Sequence, residues 1–212
     1  MELIKHLIDF ILHIDKNLAL IISQYHTLTY LILFVIIFAE TGFVVTPFLP
    51  GDSLLFAAGA LIAAGDTGLD ITLLAIILIV AAVAGNTVNY LLGSYLGPKV
   101  FKADNKILKL DYYLQTKAFF DKHGGKSVIF SRFMPIIRTI APFVAGVGHM
   151  PFGRYSLYNI IGGVSWIVLF LFAGYMLGNV PFFKAHFSLI GIAIILLSII
   201  PPIYAAVKSK RK

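Results

Sequence analysis

Four ionisable residues stand in stretches that are otherwise apolar: Glu40, Asp52, Arg132 and Arg138. Such a set can do three things. Carboxylates take up and release protons. Guanidinium groups stay charged and offer a planar fork that matches phosphate oxygens. Acids and bases can also pair and clamp segments together. On insertion scales a charge at the centre of a bilayer costs roughly 2.5–3.5 kcal/mol, so four unpaired ones cost roughly 10–14 kcal/mol, comparable to the stability of a whole domain. They must be paired, hydrated or neutral, and two acids with two bases permit full compensation. The chemistry assigns phosphate binding to Arg132 and Arg138, and proton coupling or gating to Glu40 and Asp52. A carboxylate that releases its arginine on protonation would link the two.

Weaker polar or chain-breaking positions accompany them. Asn86 and Asn89 are three apart on one helical face and serve equally as cavity lining or as a helix–helix hydrogen bond. Pro50, Gly51, Pro135 and Thr139 flank the charges and are further candidates for lining. Arg154 reads as an interfacial anchor, His123 as a solvated side chain, and Trp166, Tyr155, Tyr158 and Tyr175 as interface belts or cavity walls. No metal site or cofactor is expected. There is no cysteine, and the histidines at 6, 13, 26, 123, 149 and 186 lack ligand spacing such as His-Glu-X-X-His. A lipid phosphatase would need such a nucleophile or metal, so no enzyme is expected.

The elements that must hold these residues are membrane helices. Of 212 residues, 59% are hydrophobic and 13% charged, against roughly 25% charged in a soluble domain. The mean hydropathy is +0.91. The net charge of +7 is concentrated in Lys99, Lys102, Lys106, Lys109, Lys117, Lys122 and Lys126, and in the tail Lys208, Lys210, Arg211 and Lys212. Basic clusters beside apolar spans indicate cytoplasmic loops rather than nucleic-acid binding.

Residues 1–25 carry a polar stripe (Glu2, Lys5, His6, Asp9, His13, Lys16, Asn17) opposite an apolar face. They read as an amphipathic interfacial helix, not a cleavable signal peptide. Spans are expected at 28–46, 71–97, 155–178 and 186–207. Two apolar stretches, 47–64 and 127–149, are broken by proline and glycine. If the lysine-rich loop 98–126 and the basic tail both face the cytoplasm, an even number of crossings separates them. Residues 127–149 should then enter and leave on one side, as a re-entrant hairpin. The same logic makes 47–64 a second hairpin, opening on the opposite side beside the acidic loop 65–70. The expected fold is an all-α polytopic membrane protein with four or so transmembrane helices, two oppositely oriented re-entrant hairpins and an amphipathic N-terminal helix.

The broken segments resemble each other. Phe48-Leu49-Pro50 precedes Asp52 and Ala58-Gly59, while Phe133-Met134-Pro135 precedes Arg138 and Ala145-Gly146. Interrupted segments in corresponding halves point to an inverted-repeat transporter with its site at mid-membrane.

The motifs Glu40-Thr41-Gly42, Pro47-Phe48-Leu49-Pro50-Gly51-Asp52-Ser53, Gly85-Asn86-Thr87-Val88-Asn89-Tyr90, Lys122-His123-Gly124-Gly125-Lys126, Ser131-Arg132-Phe133-Met134-Pro135-Ile136-Ile137-Arg138-Thr139 and Ala141-Pro142-Phe143-Val144-Ala145-Gly146 occur in order, followed by Asn159, Gly162, Trp166 and Gly174-Tyr175. In these the chain resembles the DedA family, also described as the SNARE-associated or VTT-domain family, over residues 28–180. The remainder, 186–212, reads as a last span and a basic tail. One departure is Asn86, where many members have an acid, so no ionisable role is expected there. The resemblance implies two facing re-entrant hairpins and matches Glu40, Asp52, Arg132 and Arg138 to the family's functional acids and arginines. For bacterial members it implies return of undecaprenyl phosphate across the cytoplasmic membrane. The paired acids suggest a link to protons, and the charge pattern places both termini in the cytoplasm. The expected partners are membrane lipids, undecaprenyl phosphate, protons and a second copy of the chain as a dimer, without nucleic acid. A general phospholipid scramblase, a proton-coupled small-ion antiporter and a scaffold without transport remain open on the residues alone.

Overall fold

The structure, a computed structural model, describes residues 14–43, 51–65, 67–96, 110–178 and 180. Among them it is helical, without strands. The order is α1 (Ile14–Tyr25), a 3-10 turn (His26–Leu28), α2 (Thr29–Gly42), α3 (Gly51–Ala64), α4 (Ile71–Leu96), α5 (Leu110–His123), a 3-10 turn (Gly124–Lys126), α6 (Ser127–Ser131), α7 (Pro135–Val147) and α8 (Phe152–Leu177). Pro50, the span expected at 186–207, the basic tail and most of the lysine loop lie outside the described residues.

This order repeats itself. A helix of 12 or 14 residues (α1, α5) leads through a three-residue 3-10 turn into α2 or α6. A helix of 14 or 13 residues follows (α3, α7), then a 26-residue helix (α4, α8). Each turn begins with a left-handed residue, His26 at φ 44° and Gly124 at φ 61°. Glycine adopts that conformation without strain, whereas for histidine it is a local outlier that breaks the α-helix. The repeat read from the broken segments therefore extends to the flanking helices.

Among the described residues, three helical stretches are long and apolar enough to cross a membrane: Asn17–Gly42, Ile71–Leu96 and Phe152–Leu177. At 1.5 Å per residue α4 and α8 reach about 39 Å, beyond the roughly 30 Å hydrocarbon core. Their outer faces are apolar and exposed, as along Leu157, Ile160, Val164 and Val168 on α8, while their inner faces carry Asn86, Asn89 and Asn159, all buried. This inside-out pattern belongs to helices whose solvent is lipid. By contrast α3 and α7 reach only about 21 and 20 Å by the same rise.

The first span differs from the sequence expectation. Residues 1–13 lie outside the described part; α1 packs against α3, with Leu18 and Ile22 buried, and the candidate span begins at Asn17 rather than 28. The break falls at His26 instead.

The described residues group into two compact units, one within Met1–Phe34, Pro50–Leu78 and Ile167–Ile200, the other within Val35–Leu49, Ile79–Trp166 and Pro201–Lys212. In the first unit, α3 meets the C-terminal part of α8 through bare backbone: a Cβ on Gly59 would lie 1.9 Å from the Leu171 carbonyl oxygen, and one on Gly174 2.0 Å from that of Phe56. In the second unit, α7 meets α4 the same way: a Cβ on Gly146 would lie 2.1 Å from the Tyr90 oxygen, and one on Gly93 2.1 Å from that of Phe143. Small residues permit such close helix contact in membranes. Each short helix thus packs on the long helix of the other repeat.

Also in the first unit, the Tyr30 hydroxyl accepts the Asp70 N–H at 2.7 Å, and the Asp70 carboxylate caps α4 by accepting the Leu73 N–H at 2.7 Å. The chain leaving at Tyr30 is back beside it 40 residues later. In the second unit, a Cβ on Gly125 would lie 3.1 Å from the Met150 methyl, and the Tyr90 hydroxyl donates to the Met150 carbonyl.

Candidate functional site

The second unit contains a closed polar centre. Arg138, on the first turns of α7, forms an ion pair with Glu40 near the end of α2. Glu40 is 1% exposed and Arg138 11%, so the arginine holds the edge and the acid the interior. The segment begins with Pro135, whose missing N–H is harmless at a helix start and whose fixed φ suits it.

Arg132 lies in the turn between α6 and α7 and is buried, 3% exposed. Its Nη2 donates to Asn159 Oδ1 at 2.7 Å and to the Ala82 carbonyl at 3.2 Å. The Asn86 amide fits its surroundings with the oxygen accepting from Arg132 Nη2 at 2.9 Å and the nitrogen donating to the Thr41 carbonyl at 3.2 Å. All three acceptors are neutral. Arg132 Nε–H is buried without an acceptor. The guanidinium reaches this place because α8 offers no side chains there: a Cβ on Gly162 would lie 3.2 Å from Arg132 Cδ, and one on Gly163 3.0 Å from Val83 Cγ2.

Trp166 joins the two arginines. Its ring centroid is 5.9 Å from Arg132 Cζ and 5.5 Å from Arg138 Cζ, within cation–π range. It is a buried cavity wall, not an interface-belt residue. Tyr155 is also buried. It donates to the Asn86 carbonyl at 2.7 Å and stacks on Tyr90 with centroids 4.3 Å apart. Asn89 donates to the carbonyls of Thr41 (3.3 Å) and Thr139 (2.8 Å), tying α2 and α7 to α4.

The cavity lined by Glu40, Thr41, Asn86, Arg132, Arg138, Thr139 and Trp166 has a volume of about 10 Å³, room for roughly one water molecule. Its ionisable lining is two bases and one acid. No group of three or more potential metal ligands occurs among the described residues.

Of the residues singled out in the sequence, Glu40, Arg132, Arg138, Asn86 and Thr139 come together here. Asn89 lies behind them as a brace. Gly51 and Asp52 begin α3 in the other unit, Gly51 buried and Asp52 half-buried. His123, His149 and Arg154 are exposed. Sequence reasoning gave Asn159 no role of its own, although a lone amide in the apolar α8 segment is the signal for one. The adjacent Gly162-Gly163, unusual among bulky neighbours, marks the space Arg132 needs.

The model of the VTT domain matches residues 49–176. Over 212 residues the chain is 47% identical to Protein DedA of Escherichia coli strain K12, covering all of this chain and 97% of that protein. It is 41% identical over 173 residues to an uncharacterized membrane protein of Mycobacterium leprae, covering 81% of this chain and 77% of that one. It is 37% identical over 158 residues to the inner membrane protein YqjA of Escherichia coli K12, covering 74% and 71% respectively. No solved structure matches the chain.

Proposed function

This chain belongs to the DedA family of VTT-domain membrane proteins, and from that premise we propose that its polar centre carries a phosphate-bearing lipid head group across the bacterial cytoplasmic membrane. Undecaprenyl phosphate is the substrate that the family resemblance implies. The observation that carries the reading is the arginine pair over Trp166: Arg138 is taken by Glu40, while Arg132 is held only by neutral oxygens and keeps a buried donor at Nε. A phosphate monoester supplies both the negative charge and the acceptor oxygens that such a centre favours. A lining of two bases and one acid favours anions over metal cations, which weighs against small-cation antiport.

A cavity of about 10 Å³ does not admit a phosphate, so binding requires Arg138 to leave Glu40. Protonation of Glu40 weakens that pair, and this is the step at which protons couple to the head group. Asp52, at the start of α3, is the second acid to which the chemistry gives a proton role. The proximity of Tyr30 to Asp70 and of Gly125 to Met150 supports two re-entrant hairpins, one over 127–149 and one that extends the expected 47–64 back through α2 to residue 29. With the lysine loop cytoplasmic, the first opens outward and the second inward. We place both termini in the cytoplasm, on the side of the lysine loop and the basic tail.

The test is reconstitution into vesicles, following transbilayer movement of undecaprenyl phosphate and of phosphatidylethanolamine. Movement of the first and not the second is expected. Equal rates would mean scrambling, and movement of neither would refute lipid transport. Release of inorganic phosphate would make the protein an enzyme. Undiminished activity of an Arg132→Ala, Arg138→Ala variant would remove the centre from the mechanism.

A further inference from the structure

The two arginines differ in how they are held. Arg138 stands at the edge of the centre on a charged partner, Glu40. Arg132 is locked: its Nη2 has oxygens from Asn159, Asn86 and Ala82 around it, and the bare backbone of Gly162 and Gly163 closes over it. The nearest of those oxygens, at 2.7 Å, belongs to the Asn159 amide. That amide is itself fixed, since Asn159 Nδ2 donates to the Val83 carbonyl at 3.0 Å and to Thr87 Oγ1 at 3.3 Å. A carboxylate at 159 would satisfy the same Nη2 and cancel its charge. The amide satisfies it and leaves the charge standing, with Nε–H buried and unused. Removing one partner from a buried charge is far more costly than exchanging it for another charge-matched one, so the arginine with a charged partner is the one that can exchange.

We propose that Asn159 sets the anion affinity of this centre by fixing Arg132 without neutralising it, so that Arg138 alone changes partner, from Glu40 to the phosphate. The inference rests on the lipid-phosphate reading above. It assigns Asn159 as a positioning and specificity-determining residue and gives the two arginines unequal tasks. Trp166, as the sole tryptophan of the chain, reports the exchange, because Arg138 lies against its ring while paired to Glu40.

The experiment uses the purified full chain in nanodiscs, with farnesyl phosphate as the probe and farnesol as the neutral control. Binding is measured by equilibrium partition of labelled probe, and Trp166 emission is read in parallel. Saturable binding of farnesyl phosphate with a matching change in emission is expected for the wild type. Asn159→Asp should lose about tenfold or more in affinity for farnesyl phosphate, the scale of one added charge in a partly screened site, with farnesol partition unchanged. Glu40→Gln should bind farnesyl phosphate more tightly than wild type and show no emission change of the paired-to-exchanged kind. The double variant Asn159→Asp, Glu40→Gln should regain the lost affinity, which a role of Asn159 in shape alone does not predict. Wild-type affinity in Asn159→Asp, or no recovery in the double variant at matched thermal stability, would overturn the inference. If Asn159→Asp does not fold, Glu40→Gln still decides: unchanged or weaker binding there overturns it. No saturable binding by the wild type sinks the anion-site reading itself, a distinct result from binding that ignores residue 159.

Discussion

The Tyr30 hydroxyl accepts a hydrogen bond from the backbone N–H of Asp70 at 2.7 Å, so the start of α2 and the start of α4 lie side by side. Between them the chain runs through α2 and α3, two helices of 14 residues, each about 21 Å long; α2 is also the second part of the Asn17–Gly42 stretch, which is broken at His26. This return to the point of entry supports the re-entrant hairpin proposed above.

That relationship predicts a labelling pattern. The chain has no cysteine, so single cysteines can be placed at His26, Thr67 and Lys122. A membrane-impermeant thiol reagent should reach His26→Cys and Thr67→Cys from one face and Lys122→Cys from the other. Labelling of residues 26 and 67 from opposite faces would rule out a hairpin over 29–64.

The glycine crossings predict an uneven response to small substitutions. Gly59→Ala and Gly146→Ala place a Cβ about 2 Å from a carbonyl oxygen of the neighbouring helix, and each should destabilise by about 1–3 kcal/mol or more. Gly153 is helical with nothing within 4 Å of its Cβ position, so Gly153→Ala should be neutral or slightly stabilising. Thermal unfolding of the detergent-solubilised protein, followed by fluorescence-detected size exclusion, separates the two classes. Equal behaviour at all three sites would refute the close crossings.

The brace at Asn89 predicts a loss of stability without a change of charge. Asn89→Leu removes one donor each from the Thr41 and Thr139 carbonyls, and should cost about 0.5–1.5 kcal/mol for each hydrogen bond lost. The same unfolding measurement applies, and a melting temperature equal to wild type would show that the amide holds nothing.

The Glu40–Arg138 pair predicts the coupling phenotype. In proteoliposomes, Glu40→Gln should move lipid phosphate at a rate that no longer responds to an imposed proton gradient, because the group that competes for Arg138 cannot titrate. A variant as gradient-dependent as wild type would place the coupling elsewhere.

Much of this was legible in the chain. Hydropathy and charge content determined that lipid is the solvent, since no soluble core can absorb so much apolar surface. Glu40, Arg132 and Arg138 stood out because a charge in an apolar stretch has no inexpensive structural reason to be there. The Phe-X-Pro and Ala-Gly breaks marked α3 and α7, because proline and glycine act on the backbone locally.

What the chain alone left open was every pairing across distance. Glu40 and Arg138 are 98 residues apart, and Arg132 and Asn159 are 27 apart. Which acid meets which arginine depends on where the helices cross, and that is decided by close backbone contacts such as Gly146 on Tyr90. The placement of Trp166 under both guanidinium groups, and of a neutral amide rather than a carboxylate against Arg132, follows from the same crossings. Local sequence specifies charges and breaks; only the packed helices bring one tryptophan, two arginines and one glutamate to a common centre, because side chains a few ångströms apart there belong to segments that share no local interaction.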